Sequence, residues 1–392
     1  MPKPTAPLAA FNFSTVPHLV SEAGASRRLG EHVAAHFPTI KRALIVSDAG
    51  FLKTGLAQPA IDSLAAHGVQ VAVYADVVAD PPEAVVLHAV QFARNHGADI
   101  VIGLGGGSSM DVAKLIAVLA ASEQPIGEIY GIAKVKGQRL PLVQIPTTAG
   151  TGSEVTNIAI VTTGETTKMG VVAPQLYADL AILDAELTLG LPPLVTAATG
   201  IDAMVHAIEA YTSKHKKNPM SDSLARQALA LLSNNLVAAC EDGANLAARQ
   251  AMLLGACFAG QAFSNAPVAA VHALAYPIGG IFHVPHGLSN ALVLPHVLRF
   301  NMPSASAHYA ELAAIVSPGT TGSDEARADS LITFMQQIAA RTGIQTRLRQ
   351  VGIVEADLDR LADDAMLQTR LLGNNPRDIG RADALAIYAA AW

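Results

Sequence analysis

The first half of the chain alternates short apolar runs with segments of helical spacing. Apolar runs of four to eight residues bounded by turn residues are typical of buried strands. Such runs occur at residues 42–48, 69–76, 98–107, 140–148 and 179–184. Between them, residues 55–67 and 83–95 have the spacing of helices. Strands that alternate with helices predict an α/β layer with a mainly parallel sheet.

The pattern changes after Pro192 and Pro193, which end the alternation. Beyond them the chain is rich in Ala and Leu with helical spacing, most clearly at residues 221–239, 245–263 and 326–342. A region with helices and no strand signals predicts a helical bundle. We therefore expect two domains, an α/β domain over residues 1–190 and an all-helical domain over residues 191–392.

Composition narrows the class of protein. The 392 residues are 51% hydrophobic and 15% charged, which is typical of a globular chain. The net charge of −6 argues against nucleic-acid or anionic-membrane partners. Cys240 and Cys257 are the only cysteines, so we expect a reducing compartment and no disulfide framework. With no signal-like N-terminus and no run of about 18 apolar residues, the expected location is the cytoplasm.

The stretch 266–298 contains no Asp, Glu, Lys or Arg, yet it contains several histidines. A second apolar segment places Asp202 and His206 four positions apart, which on a helix is one face. Buried ionisable groups need partners, and a divalent cation is a common one. We predict that Asp202, His206 and two of the later histidines bind a metal; the alternative is a set of satisfied core histidines. The candidate histidines are His272, His283, His286 and His296.

A glycine-rich turn, GLGGGSSMD, joins a predicted strand to a predicted helix at residues 103–111. The N–H groups of such a turn and the helix dipole favour a phosphate, although a plain tight turn is the alternative. It departs from the usual dinucleotide fingerprint because Ser108 occupies the third glycine position and no suitable acid follows about 20 residues later. Asp48, at the end of an earlier strand, is the better candidate for a ribose, or else a turn residue. Asp111 is interpreted as a capping-box acid.

Hydroxyl groups and glycines also follow the strand at 140–148, in the segment PTTAGTGSEVT at residues 146–156. Such a segment can bind phosphate or ribose oxygens, but taken alone an ordinary loop is favoured. The expected phosphate loop lies in the first domain and the expected metal ligands lie in the second. A cleft between domains is a usual place for a small-molecule site.

Several long motifs in order give the chain a resemblance to the iron-containing (group III) alcohol dehydrogenases, most clearly from about residue 42 to residue 296. The motifs are GGGSSMDVAK, IPTTAGTGSEVT, TAATGIDAMVHAIEAY, AGQAFSNA and HALAYPIGGIFHVPHGLSNALVLPHV. The resemblance implies a dinucleotide-binding α/β domain followed by an all-α domain, the architecture of dehydroquinate synthase.

The resemblance also implies roles for particular residues. It implies a metal held by one aspartate and three histidines, which here are Asp202, His206, His272 and His286. His283 matches no ligand position and is expected to be structural or to support the ligands. The positions implied to bind the NAD pyrophosphate are Gly105, Gly106, Gly107 and Ser108. Those implied to line or approach the cofactor are Thr147, Thr148, Thr151, Ser153 and Lys168, with Asp48 facing the adenosine ribose.

One position departs from the family. Many relatives have histidine four residues after the third ligand, where this chain has Tyr276. That histidine lies near the substrate, so its absence affects the proton path and the substrate range. Tyrosine has a reference pKa of about 10 and is a poor base at neutral pH. We therefore expect Tyr276 to be a wall of the substrate pocket.

The expected function is a metal-dependent transfer of hydride between a small alcohol, or its aldehyde or ketone, and NAD(H). A divalent cation would lower the pKa of the alcohol, and Fe(II) is favoured with Zn(II) as the alternative. The protein is expected to be a homo-oligomer, a dimer or larger. Other interpretations are a glycerol dehydrogenase or maleylacetate reductase of the same superfamily, a lyase like dehydroquinate synthase, and a non-catalytic binding protein with the same fold.

Overall fold

The computed structural model describes residues 10–164 and 167–392. The strands are β1 (His18–Ser21), β2 (Arg42–Val46), β3 (Gln70–Tyr74), β4 (Ile100–Gly105), β5 (Gly131–Ile132), β6 (Leu142–Pro146), β7 (Ile158–Thr163), β8 (Thr167–Val172) and β9 (Leu180–Leu183). The helices of the first half are α1 (Leu29–His36), α2 (Ala49–Leu52), α3 (Gln58–Ala66), α4 (Glu83–His96), α5 (Gly107–Ala120) and α6 (Ile126–Ile129).

Six strands form one parallel sheet in the order β1-β9-β6-β4-β2-β3. Parallel strands need crossover connections, and helices such as α3, α4 and α5 provide them. The carboxyl ends of β2, β4 and β6 lie side by side, since Val46 pairs with Gly103 and Gly105 pairs with Pro146. The glycine turn and the 146–156 segment therefore leave the sheet at neighbouring points.

The sheet is buried on both faces. In β2, Ala43 and Ile45 belong to one apolar core, while Leu44 and Val46 belong to another. This follows from the two-residue period of a strand, which sends alternate side chains to opposite faces. The core that contains Leu44 and Val46 continues into the helices of the second half, so both halves share one apolar interior.

The second half is helical throughout. Its helices are α7 (Pro193–Tyr211), α8 (Pro219–Glu241), α9 (Leu246–Asn265), α10 (Ala270–Phe282), α11 (His286–Val316), α12 (Asp324–Arg341), α13 (Leu358–Ala365), α14 (Thr369–Leu372) and α15 (Arg381–Ala391). None of the helices in the described ranges is long and apolar enough to cross a membrane. The predicted fold class, a parallel α/β region followed by an all-α region, is confirmed.

Two parts of the sheet architecture were not predicted. The edge strand β1 has only four residues, which are mostly exposed, and so gives little apolar signal. Strands β7 and β8 pair antiparallel and form a small sheet with β5. This second sheet matters for function because it places Ile160, Thr162 and Lys168 along one wall of a cleft.

Candidate active site

The structure brings together one carboxylate and three imidazoles. Asp202 and His206 lie one turn apart on α7, His272 lies on α10, and His286 is the first residue of α11. The Nε2 atoms of His206, His272 and His286 lie 3.9, 3.9 and 3.7 Å from Asp202 Oδ1. One ligand atom from each side chain lies within 4.8 Å of all the others. The remaining candidates are elsewhere, since His283 is an exposed residue that ends α10 and His296 is outside the cluster.

Gly287 allows α11, which carries His286, to approach α7, which carries Asp202 and His206. A Cβ atom on Gly287 would lie 2.4 Å from the Ala198 carbonyl oxygen and 3.3 Å from Asp202 Cβ. Only glycine therefore lets the start of α11 pack directly against α7. That close approach places His286 opposite Asp202.

Hydrogen bonds from outside the cluster orient its members. Glu209 accepts a hydrogen bond from His272 Nδ1 at 2.6 Å and another from the Val271 N–H at 2.7 Å. A carboxylate can only accept here, so His272 donates from Nδ1, and its Nε2 faces Asp202 in the cluster. Asn290 donates to Asp202 Oδ1 at 2.6 Å.

The charge states suit a cation. Burial would raise the pKa of Asp202, but the three imidazoles and the Asn290 amide lower it below its ordinary value. Burial lowers the pKa of His206 to about 3 against the pull of Asp202, and burial also lowers the pKa of His286. One carboxylate oxygen and three imidazole nitrogens are the donor set of a divalent first-row metal. The residues present therefore fit the metal that the sequence predicts.

The glycine turn begins α5 and touches the 146–156 segment. Gly106 is the N-cap of α5, and Gly106, Gly107 and Ser108 are partly exposed. A Cβ on Gly107 would lie 2.7 Å from the Thr151 side chain, and one on Gly106 would lie 3.8 Å from that of Thr148. The N–H groups at the start of this helix can therefore receive an anion that also contacts the threonines.

Two further predicted cofactor residues are buried beneath that surface. The Thr147 N–H donates to the Gly105 carbonyl at 3.0 Å. Ser153 donates to Asp111 Oδ1 at 2.6 Å and accepts a hydrogen bond from Lys114 Nζ at 2.7 Å. Thr147 and Ser153 thus hold the two loops together beneath the surface that Gly106, Gly107 and Thr151 form.

The capping-box interpretation of Asp111 is wrong. Asp111 is the fifth residue of α5, and its Oδ2 accepts the Ile160 N–H of β7 at 2.9 Å. Its neighbour Lys114 is fully buried and donates to Ser153, to Thr156 and to the Ile158 carbonyl. Burial lowers the pKa of Lys114. Asp111 and Lys114 therefore connect α5 to the small sheet.

Asp48 and Lys168 are two further residues predicted to contact the cofactor. Asp48 caps α2 by accepting the Phe51 N–H at 2.8 Å on Oδ1. Its Oδ2 lies 3.8 Å from the position of a Cβ on Gly105, which places it beside the glycine turn. Lys168 is largely buried, forms an ion pair with Asp80, and lines the same cleft as the histidine cluster.

A cleft between the two halves contains both parts of the site. It is open to solvent and is lined by Gly107, Ser108, Thr151, Ser153 and Lys168 on the α/β side. On the helical side it is lined by His206, Phe263, His272, Tyr276, His286 and Arg370. Phe263 stacks on His206 with ring centroids 4.4 Å apart, so an apolar surface covers one side of the cluster. The cleft thus combines a helix start that can receive an anion with a largely buried donor set of the kind that binds metals.

Sequence reasoning missed several residues of this site. Glu209 lies three residues after His206 and seven after Asp202, so helical spacing alone places it on the same face. Asn290 likewise follows His286 by four residues. Arg370 had no comparable signal, because its approach to the cleft depends on how α14 packs.

Comparisons with known proteins cover nearly the whole chain. Residues 17–185 match the family model described as iron-containing alcohol dehydrogenase, and residues 196–392 match the C-terminal model of the same family. The long-chain-alcohol dehydrogenase 1 of Geobacillus thermodenitrificans is 41% identical over 98% of this chain and 95% of its own length. The sulfoacetaldehyde reductase of Bilophila wadsworthia is 37% identical over 97% and 99%. The crystal structure of a 1,3-propanediol oxidoreductase superposes with a TM-score of 0.94 at 33% identity, covering 98% of this chain and all of that one.

These matches and the cleft define the class as dehydrogenases that interconvert alcohols and carbonyl compounds with a nicotinamide cofactor. The chain belongs to the iron-containing alcohol dehydrogenase family. Members of the family use NAD and a divalent metal, mainly iron. The matches do not favour the glycerol dehydrogenase, maleylacetate reductase or dehydroquinate synthase alternatives.

Proposed function

We propose that Asp202, His206, His272 and His286 bind one divalent metal, and that the alcohol or carbonyl oxygen of a small substrate is activated beside them. The observation that carries this proposal is the meeting of four donor atoms from three helices within 4.8 Å, three of the four side chains being buried. A metal there would polarise the substrate oxygen and lower the pKa of the alcohol. The Asp202 carboxylate and the neutral imidazoles would hold the metal.

We propose Fe(II) as the resident metal. Three imidazoles and one carboxylate suit either Fe(II) or Zn(II), so the donor set alone does not separate them. The family to which the chain belongs, in which iron is the main metal, supports iron. Elemental analysis of protein purified without added metal tests this choice; zinc at about one ion per chain would overturn it.

We propose NAD(H) as the cofactor, with its pyrophosphate at the start of α5 and its adenosine ribose beside Asp48. The exposed faces of Gly106, Gly107 and Ser108 support the first part. The second is supported by the position of Asp48 Oδ2 beside Gly105, because a carboxylate there would accept ribose hydroxyl groups and repel a 2′-phosphate. Thr148, Thr151 and Lys168 would then line the part of the cofactor that extends from the start of α5 to the histidine cluster.

The decisive experiment compares two histidines of the same segment. His272→Ala removes a proposed ligand, so metal and turnover should be lost together. His283→Ala removes an exposed imidazole outside the cluster, so the metal should remain at about one ion per chain. Full metal occupancy in the His272 variant would contradict the ligand assignment, whatever its activity.

The reaction itself is tested by following NADH absorbance with a panel of alcohols and aldehydes in both directions. The similar proteins differ widely in substrate, from long-chain alcohols to sulfoacetaldehyde and 1,3-propanediol, so their names do not select one for this chain. We propose small alcohols and aldehydes as the substrates, because the cleft must also hold the nicotinamide end of the cofactor.

We further propose that the protein is a homo-oligomer located in the cytoplasm. Strand β1 lies at the edge of the six-stranded sheet with Leu19 exposed, and an open parallel edge favours pairing with another chain. Cys240 and Cys257 are free thiols, which suits a reducing compartment. Light scattering tests the first proposal, since a monomer at micromolar concentration would refute it, and cell fractionation tests the second.

A further inference from the structure

The cleft contains a cation that has no acidic partner. Arg370 lies on α14 and lines the same cleft as His206, His272 and His286. Within residues 10–164 and 167–392, its side chain forms no ion pair within 4.0 Å and no hydrogen bond. The residue is exposed, so its guanidinium is available to a molecule that enters the cleft.

The acids that line the cleft are already engaged. Asp80 pairs with Lys168, and Asp111 accepts hydrogen bonds from Ser153 and from the Ile160 N–H. Asp202, which belongs to the histidine cluster, accepts a hydrogen bond from Asn290. Among the charged side chains that line the cleft, Arg370 is thus the one without an oppositely charged partner in the described part of the chain.

Arg370 and the predicted pyrophosphate site belong to different structural elements of the cleft. Its Nη2 atom lies against β8, where a Cβ on Gly170 would be 3.9 Å away. Gly170 pairs with Ile160 of β7, another residue that lines the cleft. The anion-binding turn, in contrast, is at the start of α5 on the parallel sheet. Arg370 therefore lies on the side of the cleft that is formed by the small sheet and the helical half.

The partly buried side chain of Tyr276 lines the same cleft. Burial raises the pKa of Tyr276 to about 12, and the charge of Arg370 acts on the phenol in the opposite direction. The ring of Tyr276 also lies 6.0 Å from that of His286. A substrate that reaches from the histidine cluster past Tyr276 would thus meet the guanidinium.

We propose that Arg370 binds an anionic group, a carboxylate or a sulfonate, at the end of the substrate that is remote from the reacting carbon. A guanidinium presents parallel N–H donors that match two oxygens of either group. The substrate class is then a short aldehyde with a terminal anion, or the corresponding alcohol. This inference rests on the proposed function, because it assumes that the reacting carbon lies at the histidine cluster.

The test compares substrates matched in length that differ in charge. Succinic semialdehyde is paired with butanal, and sulfoacetaldehyde with propanal, using native protein and the variants Arg370→Gln and Arg370→Lys. Loss of a charged hydrogen-bonded pair should raise KM for the anionic aldehydes by about 10- to 100-fold in Arg370→Gln. KM for the neutral aldehydes and for NADH should change less than about twofold, and Arg370→Lys should recover part of the loss. Arg349→Gln, at an exposed arginine outside the cleft, is the control for lost charge.

The outcomes separate this inference from the proposed function. A native enzyme that prefers the neutral aldehydes, or an Arg370→Gln variant that loses neutral and anionic substrates equally, would overturn the role of Arg370. A rise in KM for NADH alone would assign Arg370 to the cofactor instead and would also overturn it. A preference for the sulfonate over the carboxylate, or the reverse, identifies the anion.

Calorimetric titration of the NAD⁺-bound protein with 4-hydroxybutyrate and with 1-butanol needs no turnover. If 4-hydroxybutyrate binds more tightly than 1-butanol to the native protein but not to Arg370→Gln, the result supports anion binding by Arg370. This holds even if every aldehyde proves inert, an outcome that would count against the proposed function alone. Equal binding of both compounds would count against Arg370.

Discussion

Glu209→Gln is the substitution that most directly tests how the proposed metal site is built. Glu209 uses one oxygen to accept the His272 Nδ1 proton and the other to accept the Val271 N–H. Glutamine has nearly the same shape but only one acceptor, so its amide must face one of these two donors with an N–H group. The substitution therefore tests hydrogen-bond direction rather than packing.

Each orientation of the glutamine has a cost. If its oxygen faces Val271, its NH₂ faces His272, which must then carry its proton on Nε2 and cannot bind a metal there. If its oxygen faces His272, the buried Val271 N–H is left opposed by another donor. Loss of a partner that orients a ligand usually weakens metal affinity by about 10- to 100-fold. At about 1.4 kcal/mol for each factor of ten, this is about 1.4–2.8 kcal/mol.

The assay is a titration of metal-stripped protein with Zn²⁺ or Co²⁺ against a competing chelator. The Co²⁺ absorption spectrum reports the coordination of the metal independently of turnover. Glu311→Gln is the matched control. Glu311 accepts a hydrogen bond from Tyr211, which lies on the same helix as Glu209, but Glu311 itself lies outside the cluster. Its glutamine can still accept that bond, so the metal affinity should remain native. An affinity within twofold of native in Glu209→Gln would refute the reasoning.

Three other substitutions test separate parts of the site. Asp48→Gly should reduce the preference for NADH over NADPH by about tenfold or more, because it removes the charge that repels a 2′-phosphate; steady-state kinetics with both cofactors measure this, and a native preference for NADPH would contradict the assignment. Tyr276→Phe should leave kcat within about twofold if Tyr276 is a wall, whereas a proton donor would lose about 10²-fold. Gly287→Ala should lower both thermal stability and metal occupancy, since its Cβ would lie 2.4 Å from the Ala198 carbonyl oxygen; native occupancy by elemental analysis would refute that reasoning.

The sequence was sufficient for the parallel sheet and for the regions where strands pass into helices. Apolar runs predicted five strands of the large sheet. Four of them, β2, β4, β6 and β9, are central strands, and the fifth, β3, is an edge strand. Their signal is strong because both faces of the sheet are covered, so almost every residue is apolar. The small sheet was missed because most positions of β7 and β8 are only partly buried and both strands contain polar residues, such as Lys168 in β8.

The candidate metal site was predictable to different degrees from residue to residue. Asp202 and His206 share a helical face, so their spacing alone brings them together. The choice of His272 and His286 over His283 and His296 required the family resemblance. Spacing along the chain does not show which face of α10 or of α11 packs against α7. In the structure, the exclusion of His283 has a simple cause: it adopts a left-handed conformation at the end of α10 and is exposed.

The relation between the two halves depends on contacts that no single motif specifies. A Cβ on Gly152 would lie 2.6 Å from Gly260 Cα, and one on Gly260 would lie 2.8 Å from Gly152 Cα, so the 146–156 segment and α9 meet backbone to backbone. On the other side of the same segment, Lys114 is fully buried and joins α5 to Ser153 and Thr156. Each of these residues suggests only a loop or a helix when it is considered alone. Together they fix the segment between the predicted cofactor turn and the helical half, so the position of that turn relative to the histidine cluster follows from this packing.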